Sequence, residues 1–151
     1  MHPRLPYAKV APETVDVFTK AAAHLGRTFA DHKLKALVEL RVSQINGCAY
    51  CLDLHSHQAR TLGETQQRLD CLAAWDEVSL YTDRERAALA LAESITRVSE
   101  THVPDDVYES AKAHFGEKEL VDLIAVIAMM NLWNRISISF RAQPPDRSPK
   151  A

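Results

Sequence analysis

Leu40-Arg41-Val42-Ser43-Gln44-Ile45-Asn46-Gly47-Cys48-Ala49-Tyr50-Cys51-Leu52-Asp53-Leu54-His55 decides both the fold class and the chemistry of this chain. Asn46-Gly47 breaks one helical pattern, and the run from Ala49 to Leu62 starts another, so the segment reads as helix, tight turn, helix. Cys48 and Cys51 form a C-x-x-C pair, with Cys48 in the first turn of the second helix. There the helix dipole and the unpaired backbone N–H groups favour a thiolate. His55 follows one turn after Cys51.

Cys48, Cys51, Leu52, His55, Ala59 and Leu62 advance by three or four residues and share one helical stripe, which is predicted to face inward. Asp53, Ser56, His57 and Arg60 fall on other faces, and His57 reads as a solvated surface histidine. An imidazole one turn from Cys51 can take its proton or hold the thiolate as an ion pair, which makes Cys51 and His55 a nucleophile and base. Taken singly, a buried cysteine is a small hydrophobe and an inward histidine a satisfied core residue; the pair and the histidine together favour redox work. Zinc is the rival reading. Cys48, Cys51 and His55 offer three ligands, a structural site needs a fourth, and no second close pair is present, so no metal is expected. Cys71 has no partner at a recognisable spacing and reads as an inert, partly buried thiol. His24, His32, His102 and His114 stand alone near predicted helix ends and read as surface residues.

Working outward, 151 residues with 46% apolar and 25% charged side chains suffice for one hydrophobic core. A net charge of −2 gives no electrostatic reason to expect nucleic acid or an anionic membrane as partner. Met1 to Ala30 lacks a signal-peptide apolar region, and the longest uncharged stretch, Leu123 to Asn134, falls short of the roughly 18 residues of a membrane span. A cytoplasmic protein is expected, and three cysteines with one close pair suit catalysis in a reducing compartment.

The periodicity is helical throughout, with no alternating β-branched run and only four glycines, so the fold is expected to be all-α, a compact bundle of six to seven helices. Residues 1–12, with Pro3, Pro6 and Pro12, read as an extended arm; residues 1–140 form a single domain; and 141–151, with Pro144, Pro145 and Pro149, read as a flexible tail. Helices are predicted near 13–25, 33–45, 48–62, 65–75, 83–99, 104–115 and 117–140. Thr82 with Glu85 makes a capping box that opens a helix packing on one side only, through Ala88, Leu91, Ala92, Ile95 and Val98. Pro104 suits a first helical position, Asp105 and Asp106 complement the dipole, and Gly116 is expected to end that helix as a left-handed residue. In the last helix, apolar residues from Leu120 to Trp133 surround nearly the whole circumference, which marks a central core helix, an oligomer interface, or both.

The segment Leu40 to Cys51, with His55, resembles the core motif of the carboxymuconolactone decarboxylase-like, or alkylhydroperoxidase D-like (AhpD-like), family. Gly63-Glu64-Thr65, Arg68-Leu69, Ala73-Ala74-Trp75, Glu85 to Ala90 and Met130 to Arg135 also resemble its small single-domain members. The resemblance implies an all-α fold, assembly into homo-oligomers, commonly trimers or hexamers, and a peroxidase that reduces organic hydroperoxides with its cysteine pair. It further implies that Cys51 attacks the peroxide and becomes a sulfenic acid, that Cys48 resolves it as a disulfide, and that His55 relays the proton. An external thiol donor, lipoyl groups on a partner protein in characterised members, would then reduce the disulfide without any bound cofactor. The residue argument pulls the other way on order of attack, because the helix dipole acts most strongly on Cys48.

Two departures from the family pattern bear on activity. The relay glutamate of the family lies twelve residues before the first cysteine, where this chain has Ala36. Glu39 is the candidate replacement, about 4.5 Å further along the helix and about 60° round. Between the cysteines, where some peroxidase members carry a histidine, stands Tyr50, which can donate a hydrogen bond to a peroxide oxygen but is a poor proton shuttle at neutral pH. The decarboxylase branch of the family does not use a C-x-x-C pair. A thiol–disulfide adaptor or redox sensor, and a purely structural oligomer with a vestigial site, are the readings from other classes.

Overall fold

Residues 2–147 are described by a computed structural model, in which every regular element among the described residues is helical. In chain order these are α1 (Tyr7–Val10), α2 (Pro12–Thr28), α3 (His32–Asn46), α4 (Ala49–Thr61), α5 (Gln66–Cys71), a 3-10 helix (Leu72–Glu77), α6 (Asp83–Thr96), α7 (Val98–Thr101), α8 (Asp105–His114) and α9 (Glu117–Phe140). The all-α expectation holds, with one-turn α1 and α7 in addition to the seven predicted helices.

The ends of α3 and α4 follow from local chemistry. Gly47 takes φ +68°, Cys48 N donates to Ser43 O at 3.1 Å and Gly47 N to Gln44 O at 3.3 Å. These are the two hydrogen bonds of a Schellman turn, and they satisfy carbonyls that the end of α3 would leave open. Cys48 then serves as the N-cap of α4, one position before its first turn, and its sulfur accepts the amide of Cys51 at 3.3 Å. The chain therefore reverses within two residues, and α3 packs directly along α4.

Two cores lie on either side of α3 and α6. Leu34, Val38 and Val42 of α3, with Ala88, Leu91 and Ala92 of α6, join Cys48, Cys51 and the inner face of α9 in one cluster. Ala36, Leu37 and Leu40 of α3, with Leu89 of α6, join Ala59, Leu69, Leu72 and Tyr81 in the other. Helix α6 is thus buried on more than one side, contrary to the one-sided stripe read from its sequence, because α3, α8 and α9 all pack against it. Val98, assigned to that stripe, is half exposed, since α6 ends at Thr96.

Helix α9 buries Leu120, Leu123, Val126, Ile127, Met130, Asn131, Asn134 and Ser137, a face advancing by three and four, while Val121 and Ile138 are exposed. It has 24 residues, and an 18-residue stretch within it has a mean hydropathy of 1.4, long and apolar enough to cross a membrane by length and composition, beyond what the uncharged stretch alone suggested. Its inner face, however, lines the core of the domain. Gly116 does not end α8 in a left-handed conformation: it has φ −62° and caps the start of α9, while the extended Phe115 terminates α8, whose N-cap is Pro104. The capping box of Thr82 and Glu85 forms as predicted.

The amino-terminal arm is not simply extended. Arg4 N donates to Phe140 O at 3.0 Å, its guanidinium reaches Ser139 O, and the Tyr7 ring stacks on Phe140 at 4.9 Å, so the arm closes over the end of α9. Of the carboxy-terminal tail, residues 141–147 are described; Arg147 Nε pairs with Asp53 of α4 at 3.0 Å, and the remainder of the predicted tail lies outside the described residues.

Candidate active site

The stripe on α4 brings Cys48, Cys51 and His55 inward, with 1%, 2% and 7% of their surface exposed, together with Ala59. Leu62, read as the last member of that stripe, is exposed, because α4 has already ended at Thr61. The Cys48 and Cys51 sulfurs stand at disulfide distance, with Cα atoms 5.3 Å apart, inside the range a disulfide spans. His57 is exposed, as are His24, His32, His102 and His114, and Cys71 is partly buried and unpaired.

Helix α3 supplies the acid. Glu39 Oε2 lies 3.3 Å from His55 Nδ1, within ion-pair range but off the axis of a well-aligned hydrogen bond, and both side chains are largely buried. Glu39 Oε1 meets Lys35 Nζ, one turn earlier on the same helix, at 2.5 Å. Burial pushes the Glu39 carboxyl up, but His55 and Lys35 together outweigh it and hold the group below its ordinary value. Ala36, at the family's glutamate position, is buried in the second core and brings no polar group to His55. The antiparallel crossing of α3 and α4 therefore places the carboxylate at position 39, not 36, against the imidazole.

A cleft of about 420 Å³ opens onto this cluster. Cys51, His55, Glu39 and Tyr50 line it, as does Lys35; Cys48 does not. Its far wall is apolar, made by Leu25 of α2 and by Val126, Met129, Met130 and Trp133 of α9. Tyr50 is half buried at this wall and packs against the first core.

A buried polar network supports the turn before Cys48. Asn46 Nδ2 donates at 2.9 Å to Asn131 Oδ1 and at 2.9 Å to Asn134 Oδ1. Asn134 Nδ2 donates to Ser43 Oγ, and Ser43 Oγ donates to the carbonyl of Glu39 at 2.7 Å. One chain of hydrogen bonds thus ties the cysteine turn, α9 and the backbone of Glu39 together. The sequence reading passed over Lys35, the α9 wall and this network. The i,i+4 spacing of Lys35 and Glu39 could have revealed the first, and the two asparagines inside an apolar helix the last.

The arrangement can hold a thiol, an acid–base group and an apolar organic molecule together away from bulk water. Among the described residues no group of three or more His, Cys, Asp and Glu side chains is placed to hold a metal ion.

Comparison with known proteins bears on the family and the fold. The sequence profile of the carboxymuconolactone decarboxylase family matches residues 12–94. The uncharacterized protein YdfG of Bacillus subtilis (strain 168) is 40% identical over 139 residues, covering 92% of this chain and 95% of its own length. A crystal structure of a protein of unknown function from Agrobacterium tumefaciens, named as a candidate AhpD antioxidant defence protein, superposes with a TM-score of 0.94 at 36% identity, over 97% of this chain and all of its own. The debrominase Bmp8 superposes with a TM-score of 0.77 at 20% identity, over 91% of this chain and 74% of its own, and so shares the fold alone. With its helical architecture and its C-x-x-C site, the chain belongs to the carboxymuconolactone decarboxylase family.

Proposed function

We propose that this protein is a thiol-dependent peroxidase that reduces organic hydroperoxides. The observation that carries the reading is that Cys51, paired with Cys48 at disulfide distance, lines an apolar cleft beside a buried His55–Glu39 pair. In the first step the Cys51 thiolate attacks the terminal oxygen of ROOH and the O–O bond breaks. Sulfur is oxidised to a sulfenic acid, and the alkoxide leaves as alcohol with the proton held at His55. Cys48 then attacks the Cys51 sulfur, a disulfide forms and water is released. An external dithiol, such as a dihydrolipoyl group on a partner protein, is oxidised to its disulfide as it returns both cysteines to thiols.

In this reading Glu39 orients His55 and stabilises its protonated form, replacing the carboxylate absent at Ala36, and Tyr50 faces the bound hydroperoxide. The apolar wall suits an organic substituent better than hydrogen peroxide. Exposed Val17 of α2 and Val121 and Ile138 of α9 leave apolar surface for a second copy, in keeping with the trimer or hexamer that the resemblance implies. A reducing cytoplasm keeps the pair supplied with thiol donors.

The test is consumption of cumene hydroperoxide by the dithiol-reduced protein, with thiols titrated before and after. Two of the three thiols of each chain should disappear per equivalent of alcohol formed, and Cys51→Ser should abolish the loss. Thiols that remain free after prolonged exposure would overturn the reading.

A further inference from the structure

Lys35 stands in the wall of the cleft, one turn before Glu39, with its ammonium 2.5 Å from Glu39 Oε1 while Oε2 faces His55. We propose that Lys35 is a positioning residue of the proton relay, clamping the Glu39 carboxylate and keeping it ionised when His55 is neutral, so that the imidazole alone carries the mobile proton. The inference rests on the reading of His55 as proton carrier.

The need for such a clamp follows from burial. The Glu39 side chain is 14% exposed, and a carboxylate so enclosed stays charged only beside a cation. His55 is a cation for only half of a relay cycle. Once it has given its proton to the leaving alkoxide, Glu39 would face a neutral ring and become the competing acceptor for the next proton. Lys35 removes that competition, because its charge is present in both halves of the cycle.

The surroundings let Lys35 act this way without being stranded itself. Lys35, Glu39 and Gln58 line both the cleft and a second, more open groove of about 480 Å³ on the other side, bordered by Gly26, His32, His57 and Thr61. Water in that groove can solvate the ammonium while the carboxylate is held toward His55. Among the residues lining the two cavities, the charged or titratable groups around Glu39 are Lys35 on α3, and His55 and Cys51 on α4, with Tyr50 and Tyr7 further along the cleft. His32 and His57 stand on the groove side. Among the described residues, helices α2 and α9 bring none to either cavity, and Lys35 is the one lysine or arginine that lines them.

The test follows the Glu39 carboxyl carbon by 13C NMR in the oxidised protein, where neither member of the cysteine pair titrates, for wild type, Lys35→Met and Lys35→Arg, with Glu39→Gln to assign the signal. Lys35→Met should raise the titration midpoint of Glu39 by about one pH unit, a tenfold gain in proton affinity, and Lys35→Arg should restore it. In the reduced protein the acid limb of the hydroperoxide rate should move up by the same amount in Lys35→Met alone. A midpoint unmoved in a Lys35→Met protein with native circular dichroism overturns the inference. If the midpoint moves but wild type consumes no hydroperoxide, the clamp stands and the peroxidase reading fails; if hydroperoxide is consumed with the same pH profile in all three proteins, the peroxidase stands and the clamp fails.

Discussion

Replacing Glu39 by glutamine removes the carboxylate that stands against His55 and leaves a side chain of the same size. At 3.3 Å, and with an effective dielectric constant of about 20, two unit charges attract by about 5 kcal/mol. Lys35 sits 2.5 Å from the same carboxylate and cancels part of that attraction at the imidazole. If about 40% survives, the protonated ring loses about 2 kcal/mol of support, which is about a thirtyfold loss in the rate of a step that uses it. The assay is the second-order rate of thiol loss from the reduced protein with excess cumene hydroperoxide, measured from pH 5 to 9 for wild type and Glu39→Gln. The variant should be slowed about ten- to a hundredfold near neutral pH, and it should melt below wild type because the amide leaves the Lys35 ammonium without its carboxylate. A rate within threefold of wild type across that range would refute the assignment of Glu39 to the relay, however short the distance to His55.

Cys48→Ser should stop the reaction at one sulfenic acid per chain, trapped by dimedone on Cys51 and visible as a mass increment, whereas Cys51→Ser should show no adduct on Cys48. Glu39 also links stability to pH: its native value lies below the 4.5 of an ordinary glutamate, so its contribution is complete above pH 4.5 and fades as the pH falls through the native value. Urea midpoints at pH 7 and pH 3.5 should therefore differ less for Glu39→Gln than for wild type. Gly47→Ala should cost about 1–2 kcal/mol in urea unfolding, since φ is +68° but no atom lies within 4 Å of the added carbon, so the penalty is conformational and the fold survives. Ile127→Ala, at a fully buried position of α9, should cost about 2–5 kcal/mol by the same measurement.

What could be read from the sequence was whatever is fixed within one helix. The inward face of Cys51 and His55, the turn at Asn46-Gly47 and the capping box at Thr82 each depend on residues three or four apart and stand where they were expected, while Cys48 sits one position earlier than predicted, as the N-cap of α4. Failures came where a neighbouring helix decides. The burial of Leu89 on the far side of α6 depends on a second core that periodicity within α6 does not reveal. Gly116 was assigned to the end of α8, yet two helices compete for the same residue and α9 took it as its cap. Whether Ala36 or Glu39 meets His55 likewise depends on how α3 crosses α4, which neither helix encodes by itself. The α9 wall of the cleft, with Met129, Met130 and Trp133, is legible only once four helices are assembled around it.

The two cysteines show why electrostatics and access have to be weighed separately. Cys48 caps α4 and receives the amide of Cys51, so the local field favours a thiolate there. If charge alone chose the nucleophile, Cys48 would attack. But Cys48 is absent from the lining of the cleft, where an organic hydroperoxide would have to lie within about 3–3.5 Å of the attacking sulfur. Cys51 lines the cleft and has His55, the proposed base, one turn away on the same helix. Under the proposed peroxidase reading access favours attack by Cys51, and the helix terminus gains a different meaning. In the reduced protein the proposed reaction would have Cys48, at the N-cap beside Cys51, resolve a sulfenic acid before a second hydroperoxide can oxidise it further. In the proposed reaction the field that seemed to argue against Cys51 as nucleophile would instead shorten the life of the sulfenic acid on Cys51.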